Sequence, residues 1–208
     1  MKETALVTTL FSKPLYEIKL NLTEKEIKNL INTKFSFLTE VKNGHQSEDK
    51  FILNKKNNSS IKHKVMLHAK NYFYNVCNVE DSVTLYMKNS WVMKHEKTNF
   101  AQSHTHQNSL FTCVLYLKNT KDTGDLILTR SYTDFLFQFD FDLPMKKFDL
   151  INAKSFRIKP YDGLLVFFPS HIQHGTSENL SDEYRYVVAA DFFIKGKIGK
   201  GPFSINIK

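Results

Sequence analysis

The sequence predicts a mainly β fold with flanking helices, built as an antiparallel double sheet of jelly-roll type. Two observations carry this expectation. From Val83 onward come short runs rich in β-branched and aromatic residues: Val83–Met87, Trp91–Met93, Leu110–Leu117, Asp125–Thr129, Phe135–Phe141, Phe156–Ile158, Leu164–Phe168 and Arg185–Ile194. Turn signals such as Thr-Lys-Asp-Thr-Gly124 and Pro-Tyr-Asp-Gly163 separate them. No helical periodicity falls between these runs, which argues against an alternating parallel sheet. The interior between two such sheets can hold a ligand.

Before Val83 the chain reads differently. Pro14-Leu-Tyr-Glu-Ile-Lys-Leu20 alternates apolar and polar residues, as a strand does. Thr23 followed by Glu26 forms a capping box that opens a helix with Ile27, Leu30 and Ile31 on one face. Asn43 to Ser60 is polar and is expected to be a mobile surface loop, anchored at Phe51-Ile-Leu53. Ser60 then caps a second helix, whose stripe Ile61, Val65, Ala69, Tyr72 and Val76 packs on the core. The whole is expected to be a single domain over 1–208. Residues 1–80 give an N-terminal strand and supporting helices, and 81–208 give the jelly-roll core.

With 208 residues, 41% hydrophobic and 13% aromatic, the chain can bury a sizeable core. The formal charge of +8 permits an acidic partner such as nucleic acid. However, the lysines are scattered and form no basic arm, so nucleic acid is not indicated. Cys77 and Cys113 match no CxxC spacing, which points to a reduced, intracellular setting with Cys113 in the core. Nothing approaches the ~18 consecutive apolar residues of a membrane span, so a cytoplasmic protein is expected. The sequence permits a homo-oligomer and requires none.

The chemistry-bearing stretch is Phe100-Ala-Gln-Ser-His-Thr-His-Gln-Asn-Ser109. Two imidazoles at i and i+2 of an extended segment point the same way, so His104 and His106 converge on one point. Imidazole suits zinc, copper, iron or nickel. His174, placed at the start of a turn before Gly175, is the third candidate, with His171 its competitor. His45, His63, His68 and His95 receive no role. Arg185 opens an apolar strand, where a guanidinium is costly unless paired. Its fork suits a carboxylate, either of a ligand or of Asp191 or Glu183 in an internal ion pair.

Ser90-Trp-Val, His104-Thr-His-Gln-Asn-Ser109, Tyr116-Leu-Lys118, Gly124-Asp-Leu126, Phe168-Pro-Ser-His-Ile-Gln-His174 and Arg185 together resemble the phage and bacterial group of 2-oxoglutarate/Fe(II)-dependent oxygenases. Leu10-Phe-Ser-Lys-Pro-Leu-Tyr16 is similar to the start of those proteins. The resemblance implies a double-stranded β-helix, a cupin-like jelly roll. It implies Fe(II) held by His104 and His174, and 2-oxoglutarate held at its distal carboxylate by Arg185, with Tyr116 a further contact. The activity implied is a dioxygenase hydroxylating a small-molecule or macromolecular substrate with release of succinate and CO2.

Three positions depart from the family pattern. His106 stands where the usual two-histidine, one-carboxylate triad has its carboxylate. The third ligand is therefore His106 itself, or a carboxylate such as Asp125, or a water. Val187 stands where a serine is frequent, and Asp191 where an asparagine is frequent. Two other readings stay open: a three-histidine cupin-type metalloenzyme without 2-oxoglutarate, and a non-catalytic jelly-roll binding module.

Overall fold

Two antiparallel sheets face one another across the molecule, described for residues 5–37, 43–118, 122–134 and 143–207 of the computed structural model. In chain order the strands are β1 (Tyr16–Lys19), β2 (Phe35–Phe37), β3 (His45–Ser47), β4 (Thr84–His95), β5 (Phe111–Lys118), β6 (Leu126–Thr129), β7 (Ser155–Ile158), β8 (Leu164–Pro169), β9 (Gln173–Thr176), β10 (Arg185–Ile198) and β11 (Ile205–Ile207). The helices α1 (Glu24–Ile31) and α2 (Ser59–Lys70) precede β4. The major sheet runs β1-β8-β5-β10-β4-β3-β2 with β11 on β10, and the minor sheet runs β7-β6-β9. This is a double-stranded β-helix with helices packed outside.

The period of two in β5 decides what faces what. Phe111, Cys113, Leu115 and Leu117 point to one side, where Tyr72, Phe167 and Phe192 join them in a core covered by α2. Val114 and Tyr116 point to the other side, against Leu126, Leu128 and Ile158 of the minor sheet. Both faces of the central strands are thus buried, which is why β5 reads as an unbroken apolar run. Burying each large apolar side chain contributes about 2 kcal/mol.

Several boundaries differ from the sequence reading. The runs expected at Val83–Met87 and Trp91–Met93 merge into one strand, β4, which starts at Thr84, because pairing with β10 resumes at Asn89 and Ser90 after a bulge that leaves Lys88 unpaired in the ladder. The stretch Asn43–Ser60 is not one surface loop. Its His45–Ser47 pairs with β2 and β4, Ser47 is fully buried, and Ile52 and Leu53 are core residues. Phe51, by contrast, is exposed. The second helix starts at Ser59 after Asn58, and the Ser60 hydroxyl donates to Glu26 rather than capping its own helix. Beyond Lys70 the helix widens into a π turn over Asn71–Val76, which carries Val76 out of the buried stripe. The strand expected at Phe135–Phe141 lies outside the described residues.

The capping box at Thr23 forms as expected, and Glu26 does more than cap. Its carboxylate accepts the Thr23 amide at 2.8 Å, the Ser60 hydroxyl at 2.7 Å and the Lys64 ammonium at 2.8 Å, tying α1 to α2. Burial alone would raise its pKa, but the Lys64, Thr23 and Ser60 bonds outweigh this and bring it from 4.5 to about 2. A carboxyl depressed by folding stabilises above its unfolded pKa and stops doing so as pH falls through the folded one. Glu26→Gln should therefore cost on the order of 2 kcal/mol at pH 7. Denaturant unfolding should show that difference shrinking as pH falls from 4.5 towards 2.

Candidate metal centre

The residues Thr98–Ser109 leave β4 and run antiparallel along β9. Main-chain bonds join them: Thr98 N to Asn179 O at 2.8 Å, Thr176 N to Ala101 O at 3.0 Å, and His106 N to Ser170 O at 3.0 Å. At the centre His104 and His174 exchange N–H···O bonds of 2.9 Å in both directions. His174 therefore lies within β9 rather than in a turn. Gly175 lets the two backbones close up, because a Cβ there would lie 2.7 Å from the Ala101 carbonyl oxygen. Its smallness serves the close approach of one backbone to another.

This zipper brings together the three histidines singled out in the sequence. Ligand atoms of His104, His106 and His174 all lie within 4.8 Å of one another. Each ring is held through Nδ1: His104 donates to Gln102 O at 2.7 Å, His174 to Ile172 O at 2.9 Å, and His106 to Asp191 Oδ1 at 2.5 Å. With Nδ1 so engaged, Nε2 is the nitrogen left for a ligand, and those of His104 and His106 are 3.2 Å apart. Burial pushes His174 down to about 3 and lowers His104 too, so both rings stay neutral and keep a lone pair. Trp91 stacks on His106 with ring centroids 5.7 Å apart. Three converging nitrogens of this type can hold a transition metal. The competitors fall outside the cluster: His171 is exposed, and Asp125 faces Arg157 at 3.8 Å.

A cavity of about 730 Å³ runs from the histidines to Arg185. Its floor follows from strand register. Along β10, Arg185, Val187, Ala189 and Asp191 share one face, and opposite them on β4 stand His95, Met93, Trp91 and Asn89. On β5, Tyr116 and Val114 complete the row beside Val187 and Ala189. The middle is therefore largely apolar and the two ends are polar.

Arg185 forms the far end and is 0% exposed. Its Nη1 donates to Thr123 O at 2.5 Å, and more distantly to Gly124 O and Ser177 O, while Nη2 donates to Thr176 Oγ1 at 2.7 Å. All these acceptors are neutral. Among the described residues no carboxylate pairs with it: Asp191 takes His106, and Glu183 approaches Lys118. Gly124, at φ +90, is needed here, since a Cβ would sit 2.6 Å from Nη1. Arg185 Nε and the Tyr116 hydroxyl are both buried without a hydrogen-bond partner. Burial raises the Tyr116 phenol to about 12, so it remains a donor. Beside them His95, whose two ring nitrogens are also unpartnered, is driven down to about 3 by burial, with Arg185 and His45 adding to the effect. An uncompensated buried guanidinium next to an idle phenol donor fits an anionic group.

Sequence reasoning gave no role to His95 and saw Asp191 only as a rival partner for Arg185. Asp191 lies an even number of residues from Arg185 and so shares its face, which is what made it look like a rival. Its bond to His106 depends on the irregular path of the histidine segment, which no period describes.

Residues 89–191 match the family described as "Putative 2OG-Fe(II) oxygenase", about half of the chain. The chain belongs to the 2OG-Fe(II) oxygenases, oxidoreductases that require Fe(II) and 2-oxoglutarate. No curated protein matches the sequence. Among solved structures, HygX from Streptomyces hygroscopicus with nickel, 2-oxoglutarate and hygromycin B bound is similar at TM-score 0.58 and 11% identity, over 86% of this chain and 82% of that one. A Pseudomonas putida prolyl-4-hydroxylase is similar at TM-score 0.55 and 12% identity, over 88% and 94%. A Trichoplax adhaerens prolyl hydroxylase in complex with a hypoxia inducible factor peptide fragment gives TM-score 0.56 and 13% identity, over 86% and 83%. At such identities the likeness is one of fold.

The Gly175 contact gives a test of the zipper. Gly175→Ala should push the Ala101–Ser103 backbone away, costing about 1–3 kcal/mol and spreading the histidines. Thermal unfolding should show the loss, and Ni(II) titration should show weaker uptake.

Proposed function

We propose that His104, His106 and His174 hold Fe(II), and that Arg185 and Tyr116 take the distal carboxylate of 2-oxoglutarate. The observation that carries this reading is the Arg185 guanidinium, fully buried with neutral partners only. Spacing supports it. Thr176, which touches Arg185, lies two residues beyond His174 on the same face of β9, a separation of about 7 Å along a strand. That is comparable with an extended five-carbon diacid. Bound there, Fe(II) with 2-oxoglutarate and O2 supplies the oxidising chemistry, giving succinate, CO2 and a hydroxylated substrate.

The chain's own part is placement. Thr123, Gly124, Ser177 and Thr176 fix the guanidinium before an anion arrives, and leave its buried Nε without a partner. Tyr116 adds a neutral donor. Val114, Val187, Met93 and Leu126 line the space between and exclude water from it. A three-histidine enzyme without 2-oxoglutarate, or a non-catalytic module, leaves the Arg185 charge unexplained.

The substrate enters past Asn43, Gln46, Lys88, Gln102 and Gln107, a rim of amides with one ammonium. Such a rim suits a small molecule or peptide rich in hydrogen-bonding groups, the kinds of compound bound in the similar structures. We further propose a single domain over 1–208, since β1 and β2–β3 extend the same sheet as the jelly-roll strands. A cytoplasmic setting accords with two free cysteines. No helix among the described residues is long and apolar enough to cross a membrane.

The test is succinate formation from 2-oxoglutarate with Fe(II) and ascorbate. Wild type should turn over slowly without substrate, and Arg185→Ala and His174→Ala should both abolish this. Turnover surviving His174→Ala would refute the ligand assignment. Tyr116→Phe, which removes one hydrogen bond of about 1 kcal/mol, should raise the KM for 2-oxoglutarate several-fold and change kcat little.

A further inference from the structure

The three histidines are not equivalent in what holds them. His104 and His174 give Nδ1–H to backbone carbonyls, of Gln102 and Ile172, which are neutral. His106 alone gives it to a carboxylate, Asp191, at 2.5 Å. Both members of this pair are buried, with side chains 7% and 6% exposed. Among the described residues no lysine or arginine neutralises Asp191. A carboxylate so placed is costly unless a positive charge lies close by. Its cross-strand neighbours do not supply one: they are Asn89 on β4 and Thr112 on β5, and the Thr112 hydroxyl donates elsewhere, to Ala190 O.

Taking the proposed iron site as the premise, we infer that Asp191 is a positioning residue that delivers, through the His106 ring, the negative charge a carboxylate ligand would have brought to the metal. The formal charges favour this. A divalent metal, three neutral imidazoles, Arg185 and a doubly negative co-substrate leave one positive charge in a water-poor cavity. Asp191 cancels it. A carboxylate accepting the distal N–H of a metal-bound imidazole also makes that ring a stronger donor and fixes its orientation. The site has therefore kept the charge of a two-histidine, one-carboxylate triad while moving the carboxylate one ring further out.

The experiment is anaerobic titration of the whole chain with Co(II), a visible-absorbing stand-in for Fe(II), with folding checked by circular dichroism. The variants are Asp191→Asn, His106→Asp and the double variant His106→Asp/Asp191→Asn. The carboxamide oxygen of an asparagine can still accept the His106 N–H, so Asp191→Asn removes charge and keeps the bond. We expect a 10- to 100-fold loss of Co(II) affinity and shifted visible bands. His106→Asp should bind poorly, because it sets two carboxylates against each other. The double variant, with one carboxylate in the ligand position, should recover affinity to within a few-fold of wild type. Asp191→Asn binding as tightly as wild type with an unchanged spectrum would overturn the inference and leave the iron site standing. A double variant no better than His106→Asp would also overturn it. Failure of the wild-type chain to bind Co(II) or Fe(II) would instead remove the premise.

Discussion

Both ends of the cavity hang on one strand. β10 pairs with β4 on one edge and β5 on the other, so its position cannot drift without breaking two ladders. Because side chains alternate, fixing Arg185 on the inner face fixes Val187, Ala189 and Asp191 there as well. The guanidinium that closes one end and the carboxylate that steadies His106 at the other are thus set by a single register. A slip of one residue would turn all four outward together. The ladder with β4 runs unbroken from Arg185 to Asp191 and shifts only after it, while the ladder with β5 shifts once, between Tyr186 and Val187.

The same strand explains the electrostatics. Burying Arg185 among carbonyl oxygens and Asp191 beside an imidazole places opposite charges at two ends of a mainly apolar channel. Neither neutralises the other, since the shared face keeps them six residues apart. Under the proposed assignment an anion would meet Arg185 at one end, and a cation would sit against His106, the partner of Asp191, at the other. Hydrogen bonds within the chain hold their geometry meanwhile, which keeps the sites oriented.

Much of this was legible from residue order. Short apolar runs between turn signals placed the central strands because both of their faces are buried, and the Thr23–Glu26 spacing marked a real helix start. The histidine pair, His174, Arg185 and Tyr116 all line the cavity. What escaped shares a cause. β2, β3 and β9 are three or four residues long and polar in part, held by pairing (β2 on β3, β3 on β4, β9 on β6) rather than by their own propensity. The polar interruption Lys88-Asn89-Ser90 looked like a break in β4, yet Ser90 is buried and bonds the Leu53 amide. His95 looked idle because its neighbours in sequence, Lys94 and Glu96, are charged, while its neighbour in space is Arg185.

The zipper between Thr98–Ser109 and β9 is made by backbone N–H and C=O groups, which every residue carries save that proline lacks the N–H. It fixes where three side chains stand without regard to what they are. Placement and identity of the donors are thereby separate problems, the first solved by the main chain and the second by single residues. Exchanging an imidazole for a carboxylate at one point on such a frame alters the ion's electronic surroundings while its other donors stay where they are. A scaffold of this kind can pass from one ligand set to another by one or two substitutions, provided a partner such as Asp191 changes in step.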